Sequence, residues 1–307
     1  MPRRTALAMH SFTSVVAGAA AMPDEPTEKR DDAPGRIGDP SAEAFSATRA
    51  AAAGEGHGMF GFQRGAEAGV CLHTVLEHVD LAAVESDATA ALVRSTLRRA
   101  GLAASTAHPS PIDPVAAVLD MLRALASARV HDDGPTVAAV TSGTRAAEWK
   151  FTLPIALADA PALAEQFEQH GCAVARAYAA RLRTLPRRTL QGFLTGFADL
   201  VAEHDGRYWL FDWKSNHLGN TAEHYGPSAL HEAMLANDYV LQYHLYVLAL
   251  HRQLALRRPD YDYERDVAGV VYPFLRGVLP DRSNGMFFAR PPLALVQALD
   301  AWARGRG

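Results

Sequence analysis

The sequence has only two cysteines among its 307 residues, Cys71 and Cys172. Two cysteines are too few for a four-cysteine iron–sulfur cluster, and they give no disulfide framework. Disulfide-free chains are typical of reducing compartments. We therefore expect a cytoplasmic protein without structural disulfides.

Long apolar runs are also missing, because no stretch of about 18 apolar residues occurs. No membrane span and no membrane partner are therefore predicted. The first 21 residues resemble a secretory signal, but His10 and Ser11 interrupt the apolar run, which leaves a secreted hydrolase as a minor alternative. The Pro-, Gly- and charge-rich stretch that follows is typical of a mobile arm, and we expect residues 1–63 to be a flexible tether.

Lysine is scarce: Lys29, Lys150 and Lys214 are the only lysines among thirty basic residues. Arginine presents a planar fork of donors, whereas lysine presents a compact point charge. Lys214 is therefore expected to be a place where a point charge is needed, whereas Lys150, two residues after Glu148, is either a second such place or a chance occurrence. The net charge of −4 excludes a chain that is basic overall, although it permits a local basic channel.

Two kinds of catalytic motif are absent. No Gly-x-x-x-x-Gly-Lys-Ser/Thr loop occurs, so no ATP-driven motor is encoded in this chain. The histidines lack the two-ligand spacing with a glutamate base that marks zinc hydrolases. The sequence therefore gives no support to these two classes.

What the sequence does contain is a predicted β-hairpin over residues 190–216, LQGFLTGFADLVAEHDGRYWLFDWKSN. Asp205-Gly206 is a strong signal for a two-residue type I′ turn, because glycine readily takes a positive φ. With that loop, paired residues sum to 411, and Asp199 lies opposite Asp212. Lys214 then points to the same face as Asp212. Two opposed carboxylates repel, so a divalent cation with a neighbouring ammonium is an economical arrangement.

The rest of the chain predicts a mixed sheet flanked by helices. Strands are expected at 145–157, at 267–274 and at 286–288. Helices are expected at 66–79, 89–102, 114–130, 161–182, 237–256 and 292–302. The first three form an Ala-rich helical part.

These motifs, in this order, resemble a known family. GFADLV, DWKSNHLG and LQYHLYVLALHR, with GVCLH and EWKFTLPI upstream, are similar to the C-terminal nuclease domain of the exodeoxyribonuclease V beta subunit (the RecB type). That domain belongs to the PD-(D/E)xK, restriction-endonuclease-like superfamily. The resemblance implies one α/β nuclease domain over 64–307, with a helical part plus one strand at 64–185 and a nuclease core at 186–307.

The resemblance also implies a role for each matching residue. Asp199 and Asp212 match metal-binding acids, and Lys214 matches the catalytic lysine. His73 matches a further metal ligand, and the backbone carbonyl of Trp213 is a candidate ligand as well. Three more matches border the site, namely the upstream acid Glu148 and the helix pair Gln242 and Tyr246.

Carboxylates with an imidazole suit Mg²⁺ or Mn²⁺, and Ca²⁺ would be a non-productive occupant. The function implied is Mg²⁺-dependent hydrolysis of DNA phosphodiester bonds, with single-stranded DNA as the substrate. The implied context is double-strand-break repair. The implied partners are RecC- and RecD-like subunits and the helicase part of a RecB chain.

Each residue also has an ordinary structural explanation. A lone histidine on an apolar helix is most often a packing residue, and an acid at a strand start is most often solvated. Gln242 and Tyr246 can simply pack. Asp199 fits such an explanation least, because an acid among Phe197, Leu200 and Val201 is costly unless it has a partner. The alternative function is a non-catalytic docking module for helicase–nuclease subunits or a recombinase.

Overall fold

The structure, a computed structural model, describes residues 8–17, 58–103, 112–185 and 190–306. At its centre is a mixed six-stranded sheet. The strands are β1 Ala8–Ser11, β2 Arg145–Ala158, β3 Leu190–His204, β4 Arg207–Phe211, β5 Val267–Pro273 and β6 Met286–Ala289.

β3 is the axis of this sheet. β2 pairs with it antiparallel along most of its length. On the other edge, β1 pairs parallel with the first half of β3, and β4 pairs antiparallel with the second half. β5 then adds parallel to β4, and β6 closes the order antiparallel to β5.

The helices lie on both faces of the sheet. Before β2 come α1 Phe12–Ala17, α2 Ala66–His78, α3 Asp87–Arg99, α4 Pro114–Ser127 and α5 Val137–Thr141. After β2 come α6 Leu163–His170, α7 Ala173–Thr184, α8 Pro227–Ala236, α9 Tyr239–Arg257, α10 Tyr263–Asp266 and α11 Leu293–Ala303.

Two hydrophobic clusters hold these layers to the sheet. The first joins α6, α7, α9 and α11 to one face, with Leu210 and Tyr272 among its sheet residues. The second joins α2 to α5 to the other face, where Phe211 and Val271 point. Neighbouring residues of β4 and β5 therefore divide between the two clusters, as the alternation of side chains along a strand requires. The predicted mixed sheet flanked by helices is confirmed, and so is the Ala-rich helical part.

The hairpin turn is the one that the sequence predicts. Asp205 and Gly206 both have positive φ, 50° and 74°. From His204 with Arg207 to Leu200 with Phe211, the paired residue numbers sum to 411, as predicted. The turn therefore fixes the register of the strands that lead to the acids.

The structure differs from the predicted elements in three places. Residues 161–182 form two helices, because the chain turns out of the helical conformation at Gly171. Helix α8 was not predicted. Parts of the predicted tether are also folded: β1 and α1 pack on β3, and Met59 and Phe62 are buried in the second cluster. Within the stretch expected to be a tether, 8–17 and 58–63 are thus part of the folded structure, while 1–7 and 18–57 lie outside the described residues.

Within the described ranges, no helix is both long enough and apolar enough to span a membrane.

Candidate active site

Asp199 and Asp212 meet where the hairpin strands separate. The last paired position is Leu200 with Phe211, and each acid lies one residue beyond it. There the amide of Trp213 donates a hydrogen bond to Oδ2 of Asp199 over 2.7 Å, while the amide of Asp212 turns to the carbonyl of Val271. At this point the Trp213 amide donates to the carboxylate of Asp199 and not to a backbone carbonyl of β3. This hydrogen bond holds the two acids side by side.

Lys214 completes the acid pair. Its Nζ lies 2.6 Å from Oδ2 of Asp212, and both side chains are buried. The ammonium also donates to Oε1 of Gln242 over 3.4 Å and lies 3.8 Å from the ring centroid of Tyr239. An aromatic face attracts a cation, so the ammonium is held from several sides.

His73 reaches the site from α2. Its Nδ1 lies 3.1 Å from Oδ1 of Asp199. One turn earlier, Gly69 faces Ser215, and a Cβ at Gly69 would lie 3.1 Å from the Ser215 Oγ. The small residue therefore lets the helix lie close against the segment after β4, which brings the imidazole to the acid.

Glu148 lies at the level of Asp199 on the neighbouring strand. Ala147 pairs with Leu200 and Trp149 with Ala198, so the register brackets Glu148 and Asp199 as the next pair. Glu148 itself has φ of 49°, a left-handed conformation that is uncommon for a residue with a Cβ. Such strain is often found at functional sites.

Gln242 and Tyr246 lie on successive turns of α9, but they contact different neighbours. Oε1 of Gln242 accepts hydrogen bonds from Lys214 and from the Tyr272 hydroxyl, the latter over 3.0 Å. Tyr246 is buried one turn further along and packs edge-on against Phe151, with ring centroids 5.5 Å apart. Gln242 therefore belongs to the lysine environment, and Tyr246 supports the strand that carries Glu148.

The electrostatics separate the two acids. Burial, reinforced by the charge of Asp199, raises the pKa of Asp212 to about 6 despite Lys214. Burial also disfavours the charged form of Asp199, but His73, Lys214 and the Trp213 amide outweigh it and hold the pKa of Asp199 below its usual range. Burial opposes a charge on His73 too, yet Asp199 raises its pKa above the usual value. The site thus has an excess of buried negative charge that one ammonium only partly offsets.

The donor set suits a hard divalent cation in its chemistry. Two carboxylates and an imidazole are ligands that Mg²⁺ or Mn²⁺ accepts, and a cation would relieve the repulsion that raises the pKa of Asp212. The side chains of the described residues are nevertheless paired with one another: no group of three or more His, Cys, Asp or Glu among them is arranged as a metal site. Oδ1 of Asp199 is engaged with His73, and Oδ2 of Asp212 is engaged with Lys214.

Three supporting residues escaped the sequence analysis. Tyr239 and Tyr272 provide aromatic faces beside Lys214, at 3.8 Å and 5.2 Å. Arg276 is buried, and its guanidinium donates to the backbone carbonyls of Met59, Phe62, Gln63 and Ser215. The periodic apolar pattern of α9 and β5 hides the tyrosines, and only the charge of Arg276 in an apolar stretch could have drawn attention to it.

Known proteins resemble the chain over most of its length. The model of the PD-(D/E)XK nuclease superfamily matches residues 45–304. The RecBCD enzyme subunit RecB of Escherichia coli (strain K12) is 34% identical over 248 residues, which cover 80% of this chain and 20% of that protein. RecB of Mycobacterium tuberculosis (strain CDC 1551 / Oshkosh) is 37% identical over 274 residues, covering 79% and 24%.

The chain spans about a fifth to a quarter of the length of these two relatives. The resemblance to RecB-type chains that the motifs indicate is confirmed, and the mixed sheet with helices on both faces agrees with the restriction-endonuclease-like fold. On the extent of the family match, this chain belongs to the PD-(D/E)XK nuclease superfamily.

Proposed function

We propose that this chain is a Mg²⁺-dependent nuclease that hydrolyses DNA phosphodiester bonds. The observation that carries the proposal is the meeting of the partly buried Asp199, the buried Asp212 and the buried Lys214 at the end of the hairpin, with His73 3.1 Å from Asp199. Membership of a nuclease superfamily supports the reaction class. Phosphodiester hydrolysis requires stabilisation of negative charge near a nucleophilic water, which this site is built to provide.

Asp199, Asp212 and His73 are the proposed metal ligands, with the Trp213 carbonyl as a further donor. When bound, the ion supplies Lewis-acid polarisation of the phosphate and a source of hydroxide near neutral pH. Mn²⁺ can replace Mg²⁺, and Ca²⁺ occupies the site without supporting turnover. The ligands come from α2 and from the hairpin, so binding also joins these two elements.

The remaining residues stabilise the negative charge on the phosphoryl oxygens or position the attacking water and accept its proton. Lys214 donates hydrogen bonds from Nζ and balances the charge that develops on the phosphoryl oxygens. Gln242 orients that ammonium through Oε1, and Tyr272 in turn orients Gln242. Glu148, at the level of Asp199, lies where it can accept a proton or position a water. Tyr246 holds the strand of Glu148 in place.

The substrate and partners are proposed from the relatives. Both relatives are RecBCD enzyme subunits. We propose that this chain works on single-stranded DNA with RecC- and RecD-like subunits and the helicase part of a RecB chain. Double-strand-break repair in the cytoplasm is the corresponding setting. The proposed nuclease domain runs from residue 64 to 307, and the strand β1, which precedes it in the sequence, pairs with its strand β3.

The test is cleavage of labelled single-stranded DNA with and without Mg²⁺ by wild type, Asp212→Asn and Lys214→Ala. Both variants should lose at least about 100-fold in rate, as for other residues that stabilise transition-state charge. Asp120→Asn makes the same chemical change on the exposed face of α4 and should leave the rate unchanged. Circular dichroism checks that each variant is folded. Equal cutting by all four proteins would reject the proposal.

The same proteins separate a nuclease from a docking module. A docking module would bind a helicase–nuclease partner or a recombinase equally well with Asp212→Asn, and wild type would cut no DNA in Mg²⁺ or Mn²⁺. The buried acid–acid–lysine set favours the nuclease, because such a cluster costs stability that a docking surface does not require.

A further inference from the structure

One face of the β2–β3 pair leads away from the acids and is open to solvent. Along β2, Phe151, Leu153 and Ile155 are buried, whereas the residues on either side of Phe151, Lys150 and Thr152, are exposed. Their cross-strand partners are Phe197 for Lys150 and Thr195 for Thr152. The exposed face therefore has two levels, one with a lysine and a phenylalanine, the other with two threonines.

The first of these levels lies next to the candidate catalytic acid. Phe197 is two residues before Asp199 on β3, so the two side chains point to the same face. The rise of a strand places them about 7 Å apart along β3. Lys150 is the cross-strand partner of Phe197 on β2, and it follows Glu148 by two residues. Along this face of β3, the aromatic ring of Phe197 with its neighbouring cation is therefore followed by Asp199.

Phe197 is exposed to an unusual degree for a large apolar side chain. Its exposed fraction is 51%, and the Nζ of Lys150 lies 5.7 Å from its ring centroid. Only four large apolar residues of the described ranges are exposed, and two of the others also border this region. Val70 lies one turn before His73 on α2, and Met9 pairs with Phe193 on the other edge of β3.

These features match the chemistry of a nucleotide in a single strand. An exposed ring can stack on any base, and an adjacent cation can bind a phosphate, which together are typical of sites for single-stranded nucleic acid. In a duplex the base faces are covered by their neighbours, so the ring would find no base to stack on. Lys150 is one of only three lysines in the chain, and its ammonium supplies a point charge for one phosphate.

We propose that Phe197 and Lys150 form a subsite for the nucleotide that adjoins the scissile phosphate, with the base stacked on Phe197 and a phosphate bound by Lys150. The assignment rests on the proposed nuclease function of the acid pair. It makes a single strand the substrate, because only an unpaired base offers its face to the ring.

The first experiment measures binding in Ca²⁺ of two fluorescein-labelled 15-mers, oligo(dT) and an abasic chain with the same phosphates. Phe197→Ala should weaken oligo(dT) binding by about 5- to 150-fold, the loss of one base–aromatic stack, and leave the abasic chain unaffected. Phe197→Trp should restore oligo(dT) binding to within about two-fold of wild type. Leu256→Ala, at an exposed position on α9, is the matched control and should change neither.

The second experiment tests the cation. Lys150→Ala should weaken both 15-mers and reduce the slope of log K against log salt by about 0.7, the value for one phosphate of a single strand. Lys150→Arg should keep most of that slope. In Mg²⁺, Phe197→Ala should raise KM for oligo(dT) and leave kcat nearly unchanged, since the ring touches the neighbouring nucleotide and not the reacting atoms.

The two proposals fail in different ways. Unchanged oligo(dT) binding and KM in Phe197→Ala, or an equal loss for the abasic chain, would overturn the subsite while wild-type cleavage still supports the nuclease. Base-dependent binding through Phe197 without any cleavage in Mg²⁺ would support the subsite and reject the nuclease.

Discussion

Asp199 accepts a hydrogen bond from the backbone amide of Trp213, one residue after its expected cross-strand partner Asp212. The acid thus takes the place of a backbone carbonyl where the hairpin strands separate. A change at Asp199 therefore affects the path of the chain as well as the charge of the site. The predictions below separate these two contributions.

The first prediction concerns pH and metal. The pKa of Asp212 is raised to about 6 in the fold, above the unfolded value of about 3.9. The fold therefore favours the protonated acid, and this contribution to stability is present below about pH 4 and is lost as pH rises through 6, by about 2–3 kcal/mol. The free energy of unfolding of Asp212→Asn, measured in urea, should therefore rise relative to that of wild type by about 2 kcal/mol between pH 4.5 and 7.5.

Ca²⁺ provides the complementary measurement, because the metal binds the ionised acid. Ca²⁺ should raise the melting temperature of wild type more at pH 7.5 than at pH 5. At 100 times the dissociation constant, binding adds up to about 2.7 kcal/mol to the free energy of unfolding. Asp120→Asn should behave as wild type. A Ca²⁺ shift in Asp212→Asn as large as that of wild type would contradict the proposed ligand.

The second prediction concerns the shape of the cation. Lys214 fits between Asp212, Gln242 and the face of Tyr239, and a guanidinium is wider and planar. Lys214→Arg should therefore lower kcat by at least about 100-fold although the charge is kept. Lys214→Met should also destabilise the fold by about 3–5 kcal/mol at pH 7.5, because Asp212 is left buried without its partner.

Single-turnover cleavage gives the first effect and urea unfolding the second. Retention of activity by Lys214→Arg would show that only charge matters at this position.

The third prediction separates the backbone of Glu148 from its side chain. Its φ of 49° disfavours any residue with a Cβ. Glu148→Gly should therefore be more stable than Glu148→Ala by about 1 kcal/mol. Both should lose cleavage equally, because both lack the carboxylate. Paired urea unfolding and cleavage assays measure the two effects, and equal stability of the variants would show that the backbone at 148 carries no strain.

The hairpin and the strands around it follow from local signals, which is why the sequence predicts them. Asp205-Gly206 sets the turn, and the turn sets the register as far as Leu200 with Phe211. The same sequence could not show that Glu148 adopts a left-handed conformation, or that Asp199 is bonded to a backbone amide. Those features arise where three strands and a helix meet, and they depend on contacts between distant parts of the chain.

The N-terminal segment shows a second limit. Residues 8–11 have a weak pattern of their own, and they become a strand only because β3 extends beyond β4 and offers a free edge. The role of Arg276 likewise cannot be read from its local sequence, since three of its four acceptors are backbone carbonyls more than 200 residues away. The prediction of a single helix over 161–182 was wrong for a local reason. The apolar periodicity continues through Gly171 in the sequence, but the backbone leaves the helical conformation at that residue.

The fourth prediction concerns Arg276. Its guanidinium ties residues 59–63 to Ser215, and burial lowers its pKa only to about 10, so it stays charged at neutral pH. Arg276→Met should leave these carbonyls without their donor and destabilise the fold by about 3 kcal/mol or more. Trypsin should then cut after Arg64 faster than in wild type, and mass spectrometry of the fragments measures the rate of that cut.

Arg304→Met, at an exposed ion pair near the end of α11, is the control and should not change that cut. Unchanged proteolysis after Arg64 in Arg276→Met would show that packing of Met59 and Phe62 alone anchors the segment.

The site draws its groups from both hydrophobic clusters. His73 arrives with the helices of the second cluster, whereas Gln242 arrives on the long helix of the first. A partly folded chain that keeps only one cluster would carry the hairpin acids and lack either the imidazole or the group that orients the lysine. Under the proposed function, cleavage would therefore depend on complete folding, and nucleic acid would be protected from a chain that is only partly folded.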